Sequence, residues 1–225
     1  MCSRRKAEEL IKKGKVLVDD KVVIELGTKV SGKEKIVVDG VLLKKEIKEY
    51  YLLNKPRGVL STTSDDKDRK TVVDLINSKS RIYPVGRLDY DTTGVLLLTN
   101  DGEFADILMH PSDEVEKVYI AKISGIIKGD AINRLKNGVI VDGVKTKKCR
   151  VKLRSVNKTK NTSIVEISIH EGRNHQVKKM FKEVGFEVLK LKRERVGIFD
   201  LRGLPSGEYR RLTKKEVNIV FSLKK

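Results

Sequence analysis

Apolar residues recur at helical spacing in only a few short stretches of this 225-residue chain. The first follows Ser3. Ala7, Leu10 and Ile11 share one face and Gly14 stands where a helix stops, so a capped helix is predicted through Ile11. Short β-prone runs follow at 15–18 and 21–24, split by Asp19-Asp20, and 36–38 leads into the turn signal Asp39-Gly40. Residues 44–49, KKEIKE, are charged and read as a linker. A second pattern starts at Tyr50. Strands are predicted at 50–54, 82–85, 95–99, 118–124, 139–141, 149–156, 163–169, 186–191 and 196–201. The run at 95–99 is continuously apolar, as central strands are. Helices are predicted at 71–76, 103–109, 131–137 and 174–184, with Phe104, Ile107 and Leu108 on one buried face. Strands dominate, and the helices come singly without a regular βαβ rhythm. The fold class expected is therefore α+β, with a mixed, mainly antiparallel central sheet and a small N-terminal module.

Charge narrows the partner. The formal net charge is +18, against an apolar share of 39%. An excess that large repels itself in the compact state, so a polyanion is the expected partner, nucleic acid foremost. Part of the Lys-rich surface serves solubility alone. No apolar run approaches the roughly 18–20 residues that span a bilayer, and the N-terminus lacks a signal-peptide core. The only cysteines, Cys2 and Cys149, are too far apart for a zinc knuckle and point to a reducing compartment. The chain reads as cytoplasmic, with no membrane association.

Two familiar chemistries drop out. GTKVSGK at 27–33 imitates a phosphate-binding loop, but Glu34 stands where Ser or Thr would hold magnesium, and a strand follows instead of a helix. No GxGxxG follows a strand, which argues against a Rossmann methyltransferase or dehydrogenase. His110, His170 and His175 do not stand at metal spacing. His110 before Pro111 reads as a helix-end cap, and His175 as a first-turn residue. The densest polar chemistry is GRLDYDTTGVLLLTNDG at 86–102, which places Asp89 in a loop before a buried strand. On spacing alone Asp89 reads as an Asx turn, and Asp101-Gly102 as a plain turn. A second cluster, EGRNHQVKKM at 171–180, puts Arg173, His175, Lys178 and Lys179 at the start of a helix. An ordinary basic helix face explains it equally well.

Taken together, NKPRG at 54–58, the 86–102 segment, EKVY at 116–119, EGRNHQVKKM and LKRERVG at 191–197 resemble bacterial ribosomal-RNA pseudouridine synthases of the RsuA/RluB type. The segments occur in family order across nearly all of 50–225. The resemblance implies that Asp89 is the catalytic aspartate, Tyr119 the ring that stacks on the target base, and Arg173 the arginine that pairs with the aspartate. Leu191 would line the base pocket. Arg87, Thr92, Lys55 and Lys117 would shape the loop or contact RNA, and His175 would contact substrate. Residues 1–45 resemble the small RNA-binding domain shared with ribosomal small-subunit protein four, with SRRKA at 3–7 as its core. Arg4, Arg5, Lys6 and Lys12 would meet RNA there. Relatives carry another helix before SRRKA, so this module is expected to be truncated. A lost helix would expose apolar surface worth several kcal/mol, at about 25 cal/mol per Å².

The implied reaction detaches uracil from its ribose and rejoins it through a ring carbon, without a cofactor. The nucleotide must leave its stack, at a cost of a few kcal/mol, and stacking on an aromatic ring returns roughly 1–3 kcal/mol. The carboxylate acts as a nucleophile on the sugar or as a base for a sugar proton, and a close guanidinium would keep it ionised. The expected activity is isomerisation of a ribosomal RNA uridine, in the large subunit by likeness of GRLDYDTTG to the RluB branch. A monomer acting on ribosomal RNA or a pre-ribosomal particle is expected. The rival readings are a non-catalytic RNA-binding ribosome-assembly factor and a methyltransferase.

Overall fold

The structure, a computed structural model, describes residues 2–44, 46–110 and 115–223. The chain forms two compact units, Met1–Ile47 and Lys48–Lys225. Lys45 and Pro111, on which parts of the linker and helix-end readings rest, lie outside the described residues.

In the first unit, helix α1 (Arg4–Lys12) starts where Ser3 Oγ accepts the Lys6 N–H at 3.2 Å. Strands β1 (Val16–Val18), β2 (Lys21–Val22), β3 (Ile36–Val38) and β4 (Val41–Leu42) form an antiparallel sheet in the order β2-β1-β3-β4. Both hairpins turn through positive φ, at Asp19-Asp20 and at Asp39-Gly40, as two-residue loops between twisted strands require. No described residue of this unit is fully buried. Leu10, Ile11, Val16, Val18, Ile36 and Val38 instead line an apolar cavity of about 310 Å³. The GTKVSGK loop curls around its own neighbour. The Glu34 carboxylate accepts the N–H groups of Ser31, Gly32 and Lys33 and the Ser31 hydroxyl. These bonds, led by the Ser31 N–H, hold its pKa down at about 2. The amides a phosphate would need are thus already taken.

The second unit is built from β5 (Tyr50–Lys55), β6 (Tyr83–Val85), β7 (Thr93–Thr99), α2 (Gly102–Met109), β8 (Lys117–Ser124), α3 (Gly129–Asn137), β9 (Ile140–Val141), β10 (Val144–Lys145), β11 (Arg150–Asn157), β12 (Thr162–Ile169), α4 (Gln176–Glu183), β13 (Val188–Val196), β14 (Phe199–Asp200), β15 (Tyr209–Arg211) and α5 (Lys214–Phe221). The main sheet runs β11-β12-β8-β13-β7-β5-β15, with β14 beside β13 and β6 beside β7. Every strand pair is antiparallel except β13 with β7, which meet in parallel at Lys192–Thr93 and Arg193–Gly94. Two antiparallel halves are therefore joined at one short seam. Gly94 makes the seam possible: a Cβ there would sit 2.1 Å from the Arg193 carbonyl oxygen, and its φ is +110°. Alternate β7 residues feed two cores. Leu96 and Leu98 pack with Leu135, Met180 and Phe181, while Val95 and Leu97 pack with Phe104, Leu108 and Val220.

Several expectations need correction. Residues 71–76 are not helical: Thr71 bridges Leu60, and the Asp74 carboxylate accepts both the Thr71 N–H and hydroxyl, fixing a turn. The two strands expected at 186–191 and 196–201 are one nine-residue strand, β13, with a short β14 after Gly197. The charged run KRER masked it, because its register is broken between Arg193 and Arg195. Asp101 is more than a turn residue: it caps α2 through the Glu103 N–H and accepts the Tyr50 hydroxyl.

Candidate active site

Asp89 stands on a loop that leads into β7, and the loop's backbone is fixed from below. Lys55 is fully buried at the end of β5, and its ammonium donates to the carbonyls of Pro56 (3.1 Å), Asp89 (3.1 Å) and Thr92 (3.0 Å). The Ser61 hydroxyl donates to the Leu88 carbonyl and accepts the Leu88 N–H. The Gly58 N–H donates to the Tyr90 carbonyl at 2.8 Å, and the Thr92 N–H to that of Asp89 at 3.1 Å. NKPRG is thus a cradle for the aspartate loop. Of the two roles expected for Lys55, shaping the loop or contacting RNA, its burial and its bonds fit the first. Burial drives the Lys55 pKa down to about 8, with Arg193 adding to the fall and Asp89 and Asp91 opposing it.

The Asp89 carboxylate faces α4. Lys178 Nζ lies 3.2 Å from Asp89 Oδ2 and 2.6 Å from Asp91 Oδ1, and His175 Nδ1 lies 3.7 Å from Asp89 Oδ2. Burial alone would lower the Lys178 pKa, but its hydrogen bonds to Asp91 and Asp89 together raise it, so the ammonium stays charged. The expected Asp89–Arg173 pair does not form. Arg173 Nη2 instead binds Glu171 Oε2 at 3.0 Å and the Lys145 carbonyl at 2.9 Å, and Nη1 binds the Val144 carbonyl at 3.0 Å. It latches the β9–β10 hairpin to the segment before α4. The cation on the aspartate is Lys178, which sequence spacing left as one of several on a basic face. His175 is not in the first helical turn: it is the N-cap of α4, in left-handed conformation at φ 53°.

Arg87, Asp89, Thr92, Tyr119, Arg173, His175 and Leu191 come together around a chamber of about 60 Å³. Tyr119 and Leu191 arrive on neighbouring strands β8 and β13, and both are buried. Arg87, Tyr119, Gly172 and Arg173 also wall a larger cleft of about 550 Å³, to which β6, β7, β8 and β13 contribute. Lys117 lines that cleft and not the chamber. Arg4, Arg5, Lys6 and Lys12 are exposed on α1 of the other unit.

A sequence model of RNA pseudouridylate synthases matches residues 49–183. The ribosomal large subunit pseudouridine synthase B of Bacillus subtilis (strain 168) is 54% identical over 218 residues, covering 96% of this chain and 89% of that protein. The chain belongs to the RNA pseudouridylate synthase family. The dual-specificity RNA pseudouridine synthase RluF of Escherichia coli (strain K12) is 34% identical over 226 residues, covering 99% of this synthase and 75% of that protein. A crystal structure of a pseudouridylate synthase shares the fold, with a TM-score of 0.70 and 29% identity over 97% of this chain and 94% of that one. The S4 domain model matches residues 1–36, so the synthase carries an RNA-binding S4 module ahead of its catalytic unit.

Other candidate groups have ordinary structural roles. His110 is the C-cap of α2. Cys149 is half-buried, burial pushes its pKa up to about 11, and its thiol donates to the Leu135 carbonyl. Among the described residues no group of three His, Cys, Asp or Glu side chains could hold a metal ion, and no helix is long and apolar enough to cross a membrane.

Proposed function

We propose that this synthase converts one uridine of large-subunit ribosomal RNA to pseudouridine, with Asp89 as the catalytic carboxylate. The observation that carries the reading is the setting of Asp89. Its backbone is pinned by Lys55 and Thr92, and its carboxylate lies against Lys178 Nζ at a chamber walled by Tyr119 and Leu191. A carboxylate held rigidly beside an aromatic wall is what an everted base requires. The base enters across Arg87 and Tyr119, which the chamber shares with the larger cleft, and stacking on Tyr119 offsets part of the cost of leaving the RNA stack. His175, Thr92 and Leu191 contact the bound nucleotide, and Arg173 keeps the hairpin wall in place.

The choice of large-subunit RNA is supported by the name of the 54% identical Bacillus relative. We infer that Arg4, Arg5, Lys6 and Lys12 of the S4 module add phosphate contacts, that no cofactor takes part, and that the enzyme works as a cytoplasmic monomer. Pseudouridine mapping across ribosomal RNA from cells with and without the gene tests the assignment. One large-subunit site should vanish in the deletion. An unchanged map, or loss confined to the small subunit, would refute the substrate.

A further inference from the structure

Arg193 is the least expected charge in the molecule. Its residue is only 5% exposed, and its Nε donates to the Val95 carbonyl at 2.8 Å. Among the described residues, no carboxylate lies within ion-pairing distance of it, and neither terminal nitrogen has a protein acceptor. Burying an arginine without a counterion costs several kcal/mol, so such a group calls for an anion from outside. Arg193 lines the large cleft with Arg87, Lys117, Lys147 and Arg173, against one carboxylate among the described residues, Glu171. That carboxylate is already taken by Arg173, Gln176 and the Lys147 N–H.

The strand register makes Arg193 and Lys117 neighbours of the base-stacking ring. Arg193 on β13 lies directly opposite Tyr119 on β8. Lys117 stands two residues before Tyr119 on β8, so the two side chains leave the strand on the same side. Lys117 donates to the Val115 carbonyl at 3.2 Å, and burial, with the charge of Arg193 next to it, lowers its pKa. Two close, partly desolvated cations with no acidic partner among the described residues form a binding place for one strongly anionic group.

We propose that Arg193 and Lys117 form a phosphodiester-binding subsite on the cleft wall, holding a backbone phosphate next to the nucleotide whose base enters the Asp89 chamber. The inference rests on the RNA reading above and adds to it the point that fixes the strand's register. A phosphate held beside Tyr119 sets which base can reach Asp89, so this pair positions the substrate and takes no part in the chemistry.

The test uses the full-length enzyme and a short single-stranded RNA carrying the uridine found by mapping. Arg193→Gln should raise KM about tenfold, with a smaller loss in kcat, as loss of a charge-assisted hydrogen bond implies. The slope of log affinity against log salt should become shallower by about 0.7, as for one lost contact to a single strand. A scan of single methylphosphonate linkages in the RNA should find one, flanking the target, that weakens wild type but does not weaken Arg193→Gln further. Lys117→Gln should give the same slope change and point to the same linkage, and it decides the matter if Arg193→Gln does not fold. Unchanged salt slopes, or methylphosphonate losses that add to the mutant losses at every linkage, would overturn the proposal. The binding arm needs no turnover. A wild type that binds RNA with this signature yet forms no pseudouridine would sink the activity reading and leave the subsite standing.

Discussion

Lys55 carries its charge where no solvent reaches it, and that charge has a use. Two carbonyls of the Asp89 loop and that of Pro56 need three donors, and only the protonated amine supplies them. With the Lys55 pKa lowered to about 8, deprotonation above that pH leaves two N–H groups for three acceptors. We expect kcat to fall as pH climbs through about 8. Stability moves the other way for this group. Between about 8 and its unfolded value of 10.5 the unfolded chain holds the proton and the folded one does not, so the Lys55 contribution to stability rises with pH. A pH–rate profile beside melting curves checks both: activity should drop without melting, and a flat kcat from pH 7 to beyond 9 would count against the role. Thr92 offers a second residue-scale prediction. Its hydroxyl is buried in the chamber wall with no partner among the described residues. Thr92→Val should raise stability by about 1 kcal/mol by removing an unsatisfied group, and should lower kcat/KM about tenfold by removing a hydrogen bond to the nucleotide. A melting curve and initial rates on one preparation decide it. At this scale the sequence marked the loop that the structure brings to the chamber but misjudged one partner. Lys55 was left between shaping the loop and contacting RNA, and Arg173 was read as the aspartate's partner, because spacing along the chain cannot show that a lysine points inward or that Glu171 has already claimed an arginine.

Among the elements, the legible ones were those with a local signal. Ser3 and Gly14 bracket α1, the apolar run at 95–99 is the centre of β7, and Phe104, Ile107 and Leu108 gave the buried face of α2. Beyond residue 201 no element was assigned, although a signal existed. Thr213 and Glu216 form a capping box that starts α5, and Arg210 clamps Glu216 and holds its pKa down at about 2. The spacing Thr-x-x-Glu is the mark of such a start. By contrast, nothing local could reveal the parallel seam between β7 and β13, because strand order depends on contacts about a hundred residues apart. Gly94 tests that seam. Gly94→Ala would press a methyl group onto the Arg193 backbone in a region of φ that alanine avoids, and should cost about 3 kcal/mol or more. Chemical denaturation measures it, and a cost near zero would mean that the two halves do not meet as described.

Across the whole molecule, the +18 net charge and the shape of the cleft serve different ends. Charge spread over the surface gives affinity for RNA of any sequence, which weakens as salt rises. The proposed chemistry belongs to one chamber, where Asp89, Tyr119 and Leu191 meet on elements from both sides of the seam, with Lys178 against the Asp89 carboxylate. The α+β class and the basic, RNA-directed character were readable from composition and strand count, since both are sums over the chain. The chamber was readable only through resemblance, because its walls are brought together by folding. Holding RNA and isomerising it are therefore separate tasks, and Asp89→Asn tests that separation most directly, with pseudouridine formation and RNA affinity measured on the same protein and the same RNA. The prediction is no detectable pseudouridine with affinity within about twofold of wild type. Turnover by the mutant at the wild-type rate would contradict the central claim.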